Sequence, residues 1–318
     1  MPRPAGAAHA DQVFKAISGN EAATSAIAAS WRRSANLYAL DPVSATPSWR
    51  LSSPEIAAAR ARMGRLLQVA QPSLERLLSA VGSVGCSVML ADRDGVILER
   101  RGAAGDDSTF DDCGLWTGAV WSEKFEGTNG IGTCLTEQRP LTIDRDQHFF
   151  ARNSALCCTT APIFEEHGEL AAALDVSSFR LALCFAQLVA AAVADAAHAI
   201  ESENFRLAFP SSRIVLAPGG ERAGAALLAV DRDDLVVGAT RAARLALGVN
   251  ARTLARPKPA ADLIDRVKGG EDDIEAAERA VLLRALARSG GNVSKAAKDL
   301  DLSRATLHRK MSRLGLHR

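Results

Sequence analysis

The spacing of hydrophobic and polar residues predicts a chain that starts with helices. A short helix is expected around residues 24–34, before a stretch rich in Pro and Ser. Ser53 is a good N-cap and Pro54 suits the first helical position, so a second helix should begin there and run to about Ala70. Pro72 then begins a further helical segment that reaches about residue 80. We therefore predict an N-terminal helical region over residues 1–70.

The pattern changes to short apolar runs after residue 80. Two pairs of runs each flank a polar turn that ends in glycine, which predicts two β-hairpins. The predicted elements are strands at 86–91, 96–98, 141–143, 156–164 and 170–176, a turn and short helix over 127–138, and a long helix over 181–206. This order predicts an α+β domain over residues 71–206, in which helices pack on one antiparallel sheet.

Residues 207–255 repeat part of this pattern in abbreviated form. The strings LADRDGVIL at 90–98 and LAVDRDDLVVG at 228–238 both place an Asp-Arg-Asp turn between apolar runs, and a helix is expected soon after the second string. The likeness indicates either a second small unit or a hairpin solution common to both. Mixed charge with several Pro and Gly residues predicts a linker over 256–274.

The last residues, 275–318, predict three short helices. An amphipathic helix should end at Gly290-Gly291. Asn292 is a good N-cap for a second helix over 293–300, and Ser303 for a third over 304–314. Two helices joined by so tight a turn have the geometry of a helix-turn-helix, whose second helix enters the major groove of DNA.

The charge distribution supports this interpretation. The 318 residues carry a net charge of +1, yet residues 275–318 contain ten Lys and Arg against four Asp and Glu, a net charge of +6. Phosphate contacts need cations only where the duplex is touched, so a basic tail on a mildly acidic body is typical of a DNA-binding module attached to another domain. The alternative is a helical bundle with a solvated basic face.

The N-terminal residues of the third helix are expected to face base edges. Arg304 and Thr306 are the candidates for that contact. The other candidate DNA-binding residues are Lys295, Arg309, Lys310 and Arg313 at phosphates, together with Ser303 and His308.

The string GGNVSKAAKDLDLSRATLHRKMSRLGL at 290–316 closely resembles the Fis-type helix-turn-helix at the C-terminus of many bacterial enhancer-binding regulators. The resemblance implies a sequence-specific binder of a double-stranded DNA operator that works as a homodimer. His308 replaces the Tyr that is common in that family, which leaves the contact at this position open.

The middle of the chain resembles the GAF domain of acetoin-catabolism regulators. The resemblance is carried by WSEKFEGTNGIGTCLTEQRPLTIDRDQHF at 121–149, CCTTAPIFEEHGELAAALDVSS at 157–178 and SWRRSANLYALDP at 30–42, and residues 225–249 look like an abbreviated PAS unit. The GAF resemblance implies a small-molecule sensor, with small alcohols, ketones, aldehydes or aromatics as candidate effectors. In such relatives a motor domain that hydrolyses ATP often lies between the GAF domain and the helix-turn-helix.

Polar and aromatic residues around the central turn are the candidates for ligand contacts. They are Trp121, Glu123, Thr128, Asn129, His148, Cys157 and Asp175. Each also has a structural interpretation, since Trp121 can fill the core, Asn129 can shape a turn, and Asp175 can accept backbone hydrogen bonds.

Several other functions are disfavoured by the sequence. Gly127-Thr-Asn-Gly-Ile-Gly132 lacks the spacing of a dinucleotide fingerprint, and no G-x-x-x-x-G-K-[ST] phosphate loop occurs, so we predict no ATPase activity. The six cysteines include no Cys-x-x-Cys pair and are expected to be reduced thiols. Cys157-Cys158 leaves open a redox or iron sensor, or a cysteine-dependent GAF-fold enzyme.

The expected location of the protein is the cytoplasm, because the N-terminus lacks the pattern of a secretory signal and the Ala-rich run after residue 181 is too short and polar to span a membrane. We predict no metal, no cofactor and no enzymatic activity. RNA polymerase or a separate motor-bearing regulator is a further possible partner.

Overall fold

The computed structural model describes residues 5–19, 24–46, 48–82, 85–180, 183–218, 226–250, 254, 258–268 and 274–316. Two compact units, Met1–Ala260 and Ala261–Arg318, make up the chain. Residues 181–182 of the predicted long helix, and 256–257 and 269–273 of the predicted linker, lie outside the described residues.

Four helices precede the first strand. They are α1 (Ala5–Ser18), α2 (Ala26–Arg32, continued by a π-helical turn over Arg33–Leu37), α3 (Ser53–Met63) and α4 (Arg65–Val81). The sequence prediction was wrong on two details. The N-cap of α3 is Ser52, whose backbone N–H donates to the Glu55 carboxylate at 2.7 Å. The boundary between the two helices is at Gly64, which has a φ of +49°, whereas Pro72 lies inside α4.

The apolar face of α4 explains why the helix tolerates its proline. Pro72 cannot donate a backbone hydrogen bond and costs stability inside a helix. The helix nevertheless buries Leu66, Ala70, Leu74 and Leu77 at helical spacing, and tertiary packing of an amphipathic face contributes most of the stability of a helix in a folded protein. The predicted domain boundary after residue 70 falls within this helix.

The predicted antiparallel sheet is confirmed. It has five strands, β1 (Cys86–Asp92), β2 (Ile97–Arg101), β3 (Leu141–Asp144), β4 (Cys157–Phe164) and β5 (Leu170–Ser178), in the order β2-β1-β5-β4-β3. Every neighbouring pair is antiparallel. Three short helices, α5 (Asp107–Asp112), α6 (Glu123–Glu126) and α7 (Gly130–Glu137), lie between β2 and β3 in the chain.

Both faces of the sheet are covered, which explains the continuous apolar runs in its central strands. On one face, Val88, Leu174 and Val176 pack against α4 and the long helix α8 (Leu183–Ala208). On the other, which we call the inner face, Met89 and Ala173 pack with Trp121 and with residues of the β2–β3 connection. This second layer holds most of the predicted ligand residues.

A smaller four-stranded sheet follows α8. It contains β6 (Arg213–Leu216), β7 (Leu227–Val230), β8 (Leu235–Ala239) and β9 (Lys258–Pro259) in that order, with α9 (Arg241–Leu247) after β8. Asp92 Oδ1 accepts from the backbone N–H groups two and four residues on, at 3.0 Å each, and Asp231 Oδ1 does the same at 2.9 Å. The sequence echo therefore corresponds to one turn geometry used twice.

Four helices form the C-terminal unit and its approach, α10 (Ala260–Lys268), α11 (Ile274–Arg288), α12 (Val293–Asp299) and α13 (Arg304–Arg313). Both predicted caps are present, because Asn292 Oδ1 accepts from the backbone of Lys295 at 3.1 Å and Ser303 Oγ from that of Thr306 at 3.0 Å. The described part of the predicted linker is more ordered than expected, since it forms β9 and α10.

Candidate sensor and DNA-binding sites

A chain of buried polar groups crosses the inner face of the sheet. Asp175 on β5 is fully buried and accepts from Thr160 Oγ1 at 2.5 Å and from Ser177 Oγ at 2.6 Å. Burial raises the pKa of its carboxyl to about 6, although both hydroxyl donors oppose the rise. Ser177 Oγ also lies 3.0 Å from the Sγ of Cys158, a second residue of β4 in this network.

His148 completes this cluster. Its Nδ1 lies 2.9 Å from the carbonyl oxygen of Arg145, so Nδ1 carries the proton and donates, which leaves Nε2 as an acceptor 3.3 Å from Cys158 Sγ. Burial lowers the pKa of His148 to about 4 and raises that of the Cys158 thiol well above its usual value. Both groups are neutral near pH 7, whereas a nucleophilic cysteine needs a thiolate.

The structure separates the two adjacent cysteines. Cys158 faces the inner side of the sheet with Asp175 and His148, whereas Cys157 packs on the side of α4 and α8. The pKa of Cys157 is raised to about 12, mainly by burial, with the Asp144 carboxyl adding to the rise. Of the seven predicted ligand residues, Cys157 thus lies on the opposite face of the sheet from His148 and Asp175.

A second buried cluster joins α2 to the connection between β2 and β3. Ser30 Oγ on α2 lies 2.5 Å from Glu123 Oε1 and 2.6 Å from Thr128 Oγ1. Arg33 donates to both oxygens of Glu123 at 2.9 Å and also forms an ion pair with Glu137 at 2.9 Å. Glu123 and Thr128 therefore have fully engaged polar atoms and hold α2 against the β2–β3 connection.

Trp121 and Asn129 also have internal partners. The indole N–H of Trp121 donates to the carbonyl of Gly114 at 2.8 Å, and Asn129 caps α7 by accepting from the backbone of Gly132 at 2.8 Å. A Cβ at Gly130 would lie 2.6 Å from Cys158 Cβ, which shows why this loop needs a glycine there. The glycine-rich string shapes a turn against the sheet.

Several polar residues of these clusters were not among the predicted ligand residues. They are Ser30, Arg33, Glu137, Cys158, Thr160 and Ser177, of which Cys158 was considered only for a redox, iron or enzymatic role. The alternation of side chains along β4 and β5 was the available signal for Cys158, Thr160 and Ser177, because residues two apart on a strand share a face. Nothing in the local sequence marks Ser30, whose partners lie more than ninety residues further along the chain.

The described residues bring together no group of three or more His, Cys, Asp or Glu side chains suited to a metal ion. Among the same residues, no helix is both long and apolar enough to span a membrane.

The second helix of the helix-turn-helix, α13, buries an apolar face and leaves several cations exposed. Leu307 and Met311 are buried against α11 and α12, while Arg304, His308 and Arg309 are exposed. On α12, Lys295 is exposed as well. The hydroxyls of Ser303 and Thr306 lie 2.8 Å apart and take part in the N-cap, so both residues have a structural role at the helix start.

Glu278 on α11 was not predicted as part of this site. Its two carboxylate oxygens accept from Lys310 Nζ and from Arg313 Nη2, two of the expected phosphate contacts. These ion pairs lower the pKa of Glu278. The fold thus supplies an internal anion that occupies two cations of α13 in the absence of DNA.

Comparison with known proteins assigns both parts of the chain. The family model of the MimR N-terminal domain matches residues 3–180, and that of the bacterial regulatory proteins of the Fis family matches residues 273–314. The N-terminal match includes α2 and the sheet.

Curated relatives resemble a little under half of the chain. The acetoin catabolism regulatory protein of Cupriavidus necator is 36% identical over 149 residues, which are 47% of this chain and 22% of that protein. The propane 2-monooxygenase operon transcriptional activator MimR of Mycolicibacterium smegmatis is 31% identical over 156 residues, 46% of this chain and 24% of that protein. The chain thus spans about a fifth to a quarter of the length of these relatives.

The crystal structure of the Escherichia coli DhaR(N)–DhaL complex contains a similar chain, with a TM-score of 0.51 at 17% identity over 74% of this chain and 80% of that one. This likeness concerns the fold and agrees with the GAF-like architecture described above. Because the MimR N-terminal model matches more than half of the sequence, the chain belongs to the MimR N-terminal domain family.

Proposed function

We propose that the protein is a cytoplasmic, sequence-specific DNA-binding transcriptional regulator whose GAF-like domain senses a small molecule. The observation that carries this proposal is the capped helix pair α12–α13, with its exposed cations, in a chain whose other matched part resembles the N-terminal region of transcriptional regulators. A helix with this charge and cap fits the major groove.

We assign the DNA contacts by exposure and internal bonding. Arg304, near the start of α13 and exposed, suits a base edge, with Thr306 beside it. Lys295 and Arg309 are free to meet phosphates, while Lys310 and Arg313 would have to exchange Glu278 for phosphate. His308 is exposed on the same helix and suits either kind of contact.

We further propose a homodimer whose seam uses the outer face of α8. Leu188 is 71% exposed, and a groove of about 300 Å³ between α4 and α8 is lined partly by Ala80, Ala192, Ala196 and Ala199. Small side chains let a helix of a second copy approach closely. An inverted-repeat operator would then match the two-fold symmetry of the dimer.

We assign effector sensing to the inner face of the sheet within residues 71–206. Residues 207–255, which contribute three of the four strands of the smaller sheet, would form an accessory unit, and residues 275–318 the DNA-binding domain. His148 and Asp175 are the predicted residues best placed to respond to a ligand, because they belong to one buried network. A cysteine-dependent enzyme is the weaker proposal, since burial keeps the Cys158 thiol protonated.

The sequence has no nucleotide-binding phosphate loop, so we propose that the protein works without ATP hydrolysis of its own. It would repress by occupying its operator, recruit RNA polymerase, or assist a separate motor-bearing regulator. Hydrolysis of ATP by the pure protein, stimulated by DNA, would contradict this part.

The decisive experiment is footprinting of the full chain on genomic DNA fragments. We expect protection of an inverted repeat, with affinity that falls steeply as salt rises. Arg304→Ala should relax preference at one base pair per half-site by about 1–3 kcal/mol. Arg288→Ala, at an exposed position of α11, serves as a cationic control. Absence of any protected repeat would refute the assignment.

A further inference from the structure

Arg100, on β2, is a buried cation that none of the interactions above employs. Its side chain is 8% exposed, and its Nη1 donates to Asp107 Oδ1 at 2.6 Å. Its Nε and Nη2 atoms are buried and have no hydrogen-bond partner in the described part of the chain. Leaving buried donors of a charged group unpaired costs free energy, so the folded protein gains no stability from these two atoms as they stand.

The two unpaired atoms have a defined geometry. In a guanidinium group, Nε–H and Nη2–H point from the same edge, and this edge forms two parallel hydrogen bonds with a carboxylate. Asp107 binds at Nη1, and Nε and Nη2 have no hydrogen-bond partner among the described residues. The structure therefore holds a preformed fork for a planar anion.

Aromatic rings fix the plane of this fork. The guanidinium carbon lies 4.4 Å from the ring centroid of Trp116 and 5.1 Å from that of Phe110. Phe110 contacts Phe179 in turn, with ring centroids 5.3 Å apart. The rings attract the cation through their faces and present apolar walls, which suit a carboxylate with a small aliphatic or aromatic body better than inorganic phosphate.

The fork lies on the sensor side of the sheet. Met89 of β1 is paired with Arg100 on one side and with Asp175 on the other, so all three residues share the inner face. A group bound to Arg100 would thus lie one strand away from the Asp175 and His148 cluster. Changes at the fork can reach that cluster through the strands between them.

Gly102 keeps space beside the fork. A Cβ at this position would lie 2.9 Å from Arg100 Nη2 and 3.2 Å from Ser87 Oγ. The φ of Gly102 lies outside the left-handed region, so the backbone alone does not require glycine there. A side chain at this position would crowd Nη2, which is one of the two unpaired atoms.

We propose that Arg100 is the anchor of the effector site and that the effector class is a small carboxylate with an apolar body. The carboxylate would accept from Nε and Nη2, with its body against Trp116 and Phe110. This inference rests on the proposed sensing function and narrows its ligand to acids.

The test is a thermal-shift and calorimetric titration of the full chain at constant ionic strength. The probes are propionate, pyruvate and benzoate, each compared with its neutral amide, together with inorganic phosphate. Arg100→Met keeps an unbranched side chain against the aromatic rings but removes the guanidinium. Gly102→Ala retains the guanidinium and places a methyl group beside Nη2. Arg101→Met is the matched control, because Arg101 donates to Glu99 at 2.6 Å and Gln71 at 2.5 Å.

We expect at least one carboxylate to bind wild type and Arg101→Met alike, and to bind Arg100→Met and Gly102→Ala about 10- to 100-fold more weakly, as loss of charge-assisted hydrogen bonds implies. Without ligand, Arg100→Met should melt no lower than Arg101→Met. A lower melting temperature would assign Arg100 a structural role and overturn the proposal.

Two further outcomes separate this inference from sensing as such. Shifts by amides or phosphate alone would overturn the carboxylate assignment and leave sensing intact. A second outcome is that no probe changes the melting temperature and none alters operator binding. This outcome would overturn the carboxylate assignment and would also count against the sensing function.

Discussion

Replacing Asp175 with asparagine tests whether a protonated carboxyl holds the buried sensor cluster together. Burial raises the pKa of the Asp175 carboxyl from 3.8 to about 6. The difference corresponds to about 3 kcal/mol of folding free energy. Because the folded chain binds this proton more tightly than the unfolded chain, the contribution is complete below pH 3.8 and is lost as pH rises through 6.

Asparagine can preserve the hydrogen bonds of the site. Its Oδ1 can accept from Thr160, and its amide can donate to Ser177, whose hydroxyl can turn towards Cys158 Sγ at 3.0 Å. We therefore expect Asp175→Asn to be at least as stable as wild type at pH 8. Its stability relative to wild type should fall by about 3 kcal/mol between pH 8 and pH 4.

The assay is urea unfolding of the full chain, followed by tryptophan fluorescence, at several pH values. His148 contributes with the opposite sign, because its pKa is lowered to about 4 and its contribution to stability is lost as pH falls below 6.5. This contribution is common to both proteins and cancels in their difference. Asp94→Asn, at a carboxylate that is 67% exposed, is the control. A difference between Asp175→Asn and wild type that is independent of pH would refute the reasoning.

Three further substitutions test other parts of the structure. Glu278→Gln should release Lys310 and Arg313 from their ion pairs. Operator affinity should then rise several-fold, and the slope of log K against log salt should steepen by about one. An unchanged slope in filter-binding titrations would show that neither cation reaches phosphate. Ser303→Ala should remove the cap of α13 and lower the free energy of unfolding by about 1 kcal/mol in DNA-free melts. Gly130→Ala should cost about 1–3 kcal/mol through overpacking against β4 and β5, and unaltered chemical denaturation would contradict the close packing.

Much of the fold was predictable because buried strands and helix caps are visible as local patterns of residue types in the sequence. The strands β1, β4 and β5 are buried on both faces and appear as continuous apolar runs, and the caps at Asn292 and Ser303 are local signals that the structure confirms. The predicted helix boundary at Pro72 was wrong. Proline disfavours a helix interior, but burial of the apolar face of α4 outweighs that local preference. β9 was missed because a strand of two residues is too short to show the alternation of side chains that predicts a strand.

The candidate sensor site was less predictable, because its polar groups are joined by contacts between distant parts of the chain. Ser30 and Glu123 meet across ninety-three residues, and Cys158 meets His148 only after β4 is paired. Cys157 and Cys158 are equivalent in a local sequence pattern. Strand register alone places one towards Asp175 and the other towards α4 and α8.

Hydrogen-bond satisfaction separates structural polar residues from candidates for ligand binding more sharply than residue type does. Glu123, Asn129 and Trp121 look like ligand residues in the sequence, yet each has its polar atoms engaged by the protein itself. Arg100 has no distinguishing motif around it, but two of its buried donors lack partners among the described residues. A binding site must keep some hydrogen-bonding capacity unused until its ligand arrives, and that capacity costs stability in the free protein. For this reason the sequence pointed to residues that build the inner layer of the fold, whereas the structure was needed to identify Arg100, whose unpaired donors support the proposed ligand site.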